Sequence, residues 1–279
     1  APPAAAPPPP AARGTPTPGR TWEVEMLPFA GPEDTSVLNH RRFCTRTTRP
    51  PCLIAAELVP PAFVALRLKR RGFDRDAARR LADLAVPFAE LQQCDPSALG
   101  HEARLCFWLN CFNAGLLVAL CEHPGAPSSL ADWVELLRDS QMDVGGAIFS
   151  LMEIEHLVLR ARTSPPRPPP ASSFGSPTTS RRLSQSLARG LPDRAVNDAR
   201  SAMFLSRPAP EVTFGVHYPA RAGLPPLRVF QPQLMEAQLG ANCAHLVARW
   251  AHADARWRRA TLPALFRWFL DDFGGSDRG

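Results

Sequence analysis

One long apolar segment constrains the fold of this chain more than any other feature. It runs from Leu105 to Cys121 and is interrupted by two side-chain amides, Asn110 and Asn113. Its apolar residues fall on almost every side of a helix, a pattern typical of a helix buried in a protein core. We therefore predict a central helix that begins at Ser97 or His101 and ends at Glu122.

The two asparagines on this helix need hydrogen-bond partners. Leaving a buried amide without a partner costs about 1–3 kcal/mol, so nearly all such groups are bonded. Asn110 and Asn113 are three residues apart and share a face of the helix. They either orient a catalytic histidine or a substrate, or tie the helix to a neighbouring loop. We favour the second role, because most buried amides are structural.

The remaining patterns predict a mostly helical domain. Ser150 and Glu153 form a capping box at the start of an amphipathic helix that ends at Arg160. Alternating polarity predicts short strands near residues 147–149, 212–218 and 227–230. The predicted class is α+β, a single, mostly helical domain with a small β-sheet. Helical spacing also predicts helices over Asp76–Gln92, Leu130–Leu137, Pro232–Leu239, Ala244–His252 and Leu262–Phe273.

Proline marks the predicted boundaries of this domain. Residues 1–19 are rich in Pro and too poor in apolar surface to order, so we expect a disordered tail. An N-terminal extension over residues 20–60 precedes a domain over residues 61–275. A second Pro-rich stretch, residues 163–180, is expected to be a loop insertion. Its P-x-x-P match at Pro165 to Pro168 could bind an aromatic groove, but in so proline-rich a chain such matches arise by chance.

Charge and cysteine usage exclude several classes of protein. The net charge is +6, from 32 Lys and Arg against 26 Asp and Glu, yet the longest basic run is only Lys69-Arg70-Arg71. We therefore expect no nucleic-acid partner. The apolar runs are too short for a predicted membrane span. Seven cysteines without a C-x-x-C pair favour reduced thiols in an intracellular, cytoplasmic protein, and no metal or cofactor site is expected.

Four segments, in order, resemble one family. Arg104 to Ala114 (RLCFWLNCFNA) resembles L-A-F-W-I-N-x-Y-N-A, and Ser150 to Arg160 (SLMEIEHLVLR) resembles S-L-x-x-I-E-H-x-I-L-R. Residues 212–229 resemble V-x-F-A-L-x-C-G-x-x-S-x-P-x-x-R-V, and Leu262 to Phe273 resembles L-P-x-x-L-x-W-Y-x-x-D-F. Together they resemble the domain of unknown function 547. This domain is similar to the C-terminal domain of plant proteins called ternary complex factor MIP-type leucine-zipper proteins.

The resemblance directs attention to one set of positions. Asn, His and Cys residues of the kind in these motifs would suit a thiol hydrolase, in which a thiolate attacks a carbonyl and a histidine moves the proton. The family cysteine, however, falls on Tyr218 here, and the glycine after it falls on Pro219. A second, less regular cysteine or serine falls near Gly223 or Leu224. Neither family thiol position therefore carries a nucleophile.

The candidate family-site positions are Asn110, Asn113, His156, His217 and Tyr218. His156 is an acid or base candidate, or else a neutral buried side chain bonded to a carbonyl or to an asparagine of the central helix. On an alternating strand, His217 and Tyr218 would point to opposite faces.

Two functions remain open. We expect a non-catalytic interaction or scaffold module, with a protein partner of unknown identity and no catalytic residues. The alternative is a hydrolase or acyl-transfer enzyme that uses His156 with an unrecognised nucleophile such as Cys111. Buried thiols in apolar helices are usually unreactive, which counts against that alternative.

Overall fold

The computed structural model describes residues 37–40, 47–161, 198–219, 226–254, 256, 258–262, 266 and 269–273. These residues form a mostly helical α+β fold with two small antiparallel sheets of two strands each, which confirms the predicted class. The predicted tail and Pro-rich insertion lie outside the described residues. So do Gly223, Leu224 and much of the predicted last helix, whose described end at Leu270–Phe273 is a 3₁₀ turn.

The predicted central helix is confirmed. Helix α3 spans His101–Glu122, and every residue from Leu105 to Cys121 is buried. By length and composition it could cross a membrane, but 94% of its apolar window is buried inside the protein, as in the core helix of a soluble domain. Large apolar side chains of α3 fill the centre of the molecule, among them Phe107, Trp108 and Phe112.

Two further helices form an antiparallel pair beside α3. Helix α1 (Pro51–Lys69) packs on both α3 and α2 (Asp74–Glu90). The sequence patterns did not predict α1, because Pro60 and Pro61 interrupt its interior and each removes a backbone donor. The predicted domain start at residue 61 lies within this helix. By length and composition α1 could also cross a membrane, with 39% of its apolar window buried.

A β-hairpin leads into the predicted capped helix. Helix α4 (Leu130–Asp139) precedes β1 (Gln141–Val144) and β2 (Ala147–Ser150), which pair with Met142 opposite Phe149. The capping box is present: the Ser150 hydroxyl accepts from the Glu153 amide at 3.1 Å, and the Glu153 carboxylate accepts from the Ser150 amide at 2.9 Å. Helix α5 (Leu151–Glu153) then widens into a π-helix over Ile154–Val158.

The strands predicted at residues 212–218 and 227–230 are wrong. Val212–Gly215 form a short helix, α6, and Val216 then begins an extended loop. Residues 227–230 belong to no strand. The alternating polarity of residues 212–218 does not correspond to alternating burial, since Val212–Gly215 are all buried. The backbone partners, described below, are side-chain amides rather than a neighbouring strand.

The C-terminal part differs from prediction in two further ways. The helices predicted at Pro232–Leu239 and Ala244–His252 are one continuous helix, α7 (Met235–Trp250), preceded by a 3₁₀ turn at Pro232–Leu234. A second hairpin, of β3 (His252–Asp254) and β4 (Arg259–Thr261), follows α7 and was not predicted. Its short strands are almost entirely exposed, so they lack the apolar pattern that marks a strand.

The β1–β2 turn gives a test of backbone strain with a built-in control. Gly145 (φ +62°) and Gly146 (φ +79°) both adopt the left-handed conformation, but a Cβ on Gly145 would lie 2.6 Å from the Cys94 carbonyl oxygen, whereas Gly146 faces open space. We expect Gly146→Ala to lower the free energy of unfolding by about 1–2 kcal/mol. Gly145→Ala should lower it by about 3 kcal/mol or more, since it adds a backbone clash. Equal losses in urea denaturation would contradict this account.

Candidate functional site

The predicted site residues lie on α3 and on two segments that pack against it. Asn110 and Asn113 are on α3, His156 is on the π-helix, and His217 and Tyr218 are on the extended loop after α6. Both asparagines are fully buried, and the other three side chains are partly buried. The candidate site therefore lies where α3 and the π-helix cover the loop after α6.

The α3 asparagines bind loop backbone. Asn113 donates from Nδ2 to the Gly215 carbonyl at 3.0 Å, and its Oδ1 accepts from the His217 amide at 2.9 Å. Asn110 donates to the Phe230 carbonyl at 3.0 Å and accepts from the Phe230 amide at 2.9 Å. Both ends of each side-chain amide are thus bonded to backbone, and both residues tie α3 to a loop.

Helix α7 supplies two more amides to the same loops. Gln238 donates to the Val229 carbonyl and accepts from the Gln231 amide, both at 2.9 Å. Asn242 donates to the Phe214 carbonyl at 2.9 Å and accepts from the guanidinium of Arg228. We call Asn110, Asn113, Gln238 and Asn242 the amide clamp. It supplies hydrogen bonds to residues 214–217 and 229–231 that a β-sheet would otherwise supply.

Tyr218, predicted above to stand at the position of the family cysteine, is partly buried and points towards the polar residues of the π-helix. Its hydroxyl donates a hydrogen bond to the carboxylate of Glu155, which is only 4% exposed. Its ring packs edge-on against Trp133 and Phe112, with centroids 5.5 and 6.0 Å apart. The tyrosine thus fills the space beside Glu155 and gives a buried carboxylate a donor.

His156 adjoins the same carboxylate without bonding to it. Its Nε2 lies 3.9 Å from the Glu155 carboxylate, and its side chain is 10% exposed. Among the described atoms, its buried Nδ1 has no hydrogen-bond partner. Burial lowers the pKa of His156, and although Glu155 opposes this effect, the lowering prevails. The imidazole is therefore neutral at pH 7.

A second buried ionic group completes the cluster. Arg160, one turn after His156, donates to the Thr213 hydroxyl at 2.8 Å and stacks over the Phe269 ring at 3.7 Å. We call the set of Glu155, His156, Arg160, Thr213 and Tyr218 the polar cluster. The π-helix and the loop around α6 each contribute to it, so its geometry depends on the amide clamp that holds the loop.

The structure brings together some predicted residues and corrects others. His156 and Tyr218 both lie beside Glu155. The side-chain amides of Asn110 and Asn113 instead bond the backbone of the loops. Glu155 and Thr213 were not predicted, although Glu155 stands directly before His156 in the quoted I-E-H motif. Glu153, three residues before His156, bonds Ser150, as the predicted capping box requires, and also Arg200.

The cysteines of the described residues offer no nucleophile to this cluster. Cys111 has no exposed surface, and burial raises the pKa of its thiol well above the usual range. A reactive thiolate needs an accessible, electropositive setting, which Cys111 lacks. In the part of the chain that the structure describes, no group of three or more His, Cys, Asp or Glu side chains could hold a metal ion.

The amide clamp predicts a large and specific cost of mutation. Asn110→Ala leaves both backbone groups of Phe230 unpaired, at about 1–3 kcal/mol each, so the free energy of unfolding should fall by about 2–6 kcal/mol. Gln233→Ala, on an exposed side chain nearby, should change it by less than about 0.5 kcal/mol. Urea denaturation measures both, and a loss below about 1 kcal/mol for Asn110→Ala would show that water replaces the amide.

The lowered pKa of His156 predicts a pH-dependent stability. The unfolded chain binds a proton near pH 6.5 and the folded chain only at lower pH, so stability is full above 6.5 and falls as pH drops towards the folded pKa. The slope is at most about 1.4 kcal/mol per pH unit. His156→Gln should flatten the curve between pH 6.5 and 5. Burial also lowers the pKa of His101, so His101→Gln should flatten the curve as well and gives a second, independent test. If only His101→Gln flattens the curve, His156 does not titrate as expected.

Comparison with known proteins agrees with the family motifs. The family described as "Protein of unknown function, DUF547" matches residues 96–246, a range that contains α3, the π-helix, the loop after α6 and most of α7. No curated protein and no solved structure matches the chain. The match covers more than half of the sequence and includes the polar cluster and the amide clamp. The chain therefore belongs to the DUF547 family of proteins of unknown function.

Proposed function

We propose that this protein is a non-catalytic interaction or scaffold module that keeps the family fold and acts by binding another protein. The observation that carries this proposal is the hydrogen bond from Tyr218 to Glu155 at the family cysteine position. A thiol hydrolase needs a thiolate beside a base at that point. Here a phenol, mostly protonated at neutral pH, takes its place and bonds a buried acid.

The surrounding groups support a structural role for the cluster. The amide groups of Asn110 and Asn113 are bonded at both ends to loop backbone, which leaves neither to orient a histidine ring. His156 is neutral and lies 3.9 Å from Glu155, beyond hydrogen-bond reach. A general base also needs a nucleophile to activate, and no described thiol contacts this histidine.

The competing hypothesis is an acyl-transfer or hydrolytic enzyme. It requires His156 to activate a nucleophile other than the family cysteine. Cys111 cannot serve without a large rearrangement of α3, because its thiol lies in the packed core and its raised pKa keeps it protonated. The burial of Cys111 therefore favours the interaction module.

Reactive probes distinguish the two hypotheses. The full chain is incubated at pH 7.5 with a fluorophosphonate and with a chloroacetamide, and labelled residues are located by mass spectrometry. A non-catalytic module should show only slow labelling of its more accessible thiols, such as the partly exposed Cys243, at rates unchanged by His156→Gln. Labelling of any residue that falls at least tenfold in His156→Gln would contradict the proposal.

A restored thiol provides the positive control. Tyr218→Cys places a thiol at the family position and shows whether the chloroacetamide can reach the polar cluster. Tyr218→Phe is its matched partner, since it removes the bond to Glu155 without adding a nucleophile. If the probe labels Cys at position 218 in the first variant, the absence of His156-dependent labelling in the natural sequence is a property of its chemistry rather than of access.

A further inference from the structure

The turn between α1 and α2 holds an aromatic ring out in solvent. The α1 end is closed by two backbone hydrogen bonds, from Gly72 to the Lys69 carbonyl at 2.9 Å and from Phe73 to the Leu68 carbonyl at 3.0 Å. This pairing, with Gly72 at φ +81°, is a Schellman motif. The Phe73 carbonyl in turn accepts from the Ala77 amide at 3.0 Å in α2. Both backbone groups of Phe73 are thus fixed by helices.

This fixed backbone leaves the Phe73 ring 53% exposed, the largest fraction among the large apolar side chains that the structure describes. In a Schellman motif the residue at this position often packs back on the helix. Phe73 does not pack on α1 here. The hydrogen bonds on either side of Phe73 prevent the turn from rotating to bury its ring. A single exposed apolar side chain is common on protein surfaces, so its surroundings decide its meaning.

Those surroundings are strongly basic. Arg67, Arg70, Arg71 and Arg75 are exposed, and among the described residues none has a carboxylate oxygen within 4.0 Å. Arg70 donates to the Pro219 carbonyl at 3.4 Å, which leaves its charge unbalanced. We call residues 67–75 the hairpin tip. It carries four exposed arginines, one exposed acid, Asp74, and the exposed ring of Phe73, and the guanidinium of Arg67 lies over the Phe63 ring, 5.7 Å from its centroid.

Lys69 and two nearby acids complete the charges of this region. The ammonium of Lys69, the only lysine in the chain, donates to the carbonyls of Cys121 and His123 at the end of α3, so it anchors the hairpin tip to the core. Two exposed acids oppose the positive charge: Asp74 within the tip, and Asp76, which lies 3.8 Å from Arg79 rather than from a tip arginine. Val64, one turn before Arg67 on α1, adds a second exposed apolar side chain.

We propose that the hairpin tip docks the protein on the surface of an anionic phospholipid bilayer. An apolar ring with surrounding cations suits the headgroup region, where the ring enters the acyl boundary and the guanidinium groups meet lipid phosphates. Single-stranded nucleic acid would also meet arginine and an aromatic ring, but it is bound along a groove that follows its backbone. The tip is a turn in which every residue from Arg70 to Asp76 is exposed, so a bilayer fits it better. The proposal goes beyond the interaction module and does not depend on the polar cluster.

Vesicle sedimentation tests the proposal with the full chain. The vesicles contain either phosphatidylcholine alone or a 7:3 mixture of phosphatidylcholine and phosphatidylserine, at an ionic strength near 0.15 M. We expect binding only to the anionic vesicles. Each arginine removed should weaken it about fivefold, so Arg71→Gln with Arg75→Gln should weaken it roughly 25-fold. Phe73→Ser should weaken it about tenfold through lost apolar contact.

Matched controls distinguish binding through the tip from effects of net charge and of exposed apolar surface elsewhere. Arg138→Gln removes an exposed arginine on α4, and Leu234→Ser removes an exposed apolar side chain before α7. Both should bind anionic vesicles like the natural sequence. Equal binding by Phe73→Ser and the natural sequence, or equal binding to both vesicle types, would overturn the proposal. So would arginine-dependent binding of a 20-nucleotide single-stranded RNA without vesicle binding.

Discussion

The hydrogen bonds from the amide clamp to residues 214–217 and 229–231 are the interactions on which the candidate site depends. An extended backbone inside a helical protein has N–H and C=O groups that no helix satisfies, and burying them unpaired is costly. A side-chain amide carries the same donor and acceptor as a peptide unit. Asn110 meets both groups of Phe230 and thus acts as a one-residue strand partner. Helices α3 and α7 can therefore hold two extended segments without a sheet.

Because side-chain amides take the place of a neighbouring strand, the sequence predicts some parts of the structure well and others poorly. The apolar pattern of α3 and the Ser150–Glu153 capping box are local signals, and both are present in the fold. The alternation around residues 212–218 predicts a strand, but Val212–Gly215 form a short helix, and the backbone of residues 214–217 bonds side-chain amides instead of a neighbouring strand. The partner of Asn113 lies more than a hundred residues away, so local periodicity could not reveal it. Helix α1 escaped prediction for the opposite reason, since its prolines obscured a helix that packing on α3 stabilises.

The polar cluster shows a similar dependence on distant contacts. Glu155 is a poor candidate for burial when the sequence is considered alone, because an ionised carboxylate is rarely buried without partners. Tyr218 supplies a partner from the loop that Asn113 holds in place. A cysteine at this position would offer only a weak S–H donor to the same acid. Tyrosine at this position therefore gives Glu155 a stronger hydrogen bond than a cysteine would.

Substitutions in the interior and substitutions at the hairpin tip should have different effects, because different interactions hold the two regions. Inside, each polar group of the clamp is matched by a partner, so a substitution there is felt first as lost stability. At the tip, the backbone bonds of Gly72 and Phe73, together with the hydrogen bonds from the Lys69 ammonium to two carbonyls of the α3 end, fix the turn. The side chains of Phe73, Arg71 and Arg75 are not needed for that geometry. These side chains are therefore free to bind a partner without affecting the fold. Their unbalanced positive charge makes an anionic surface the natural complement of the tip.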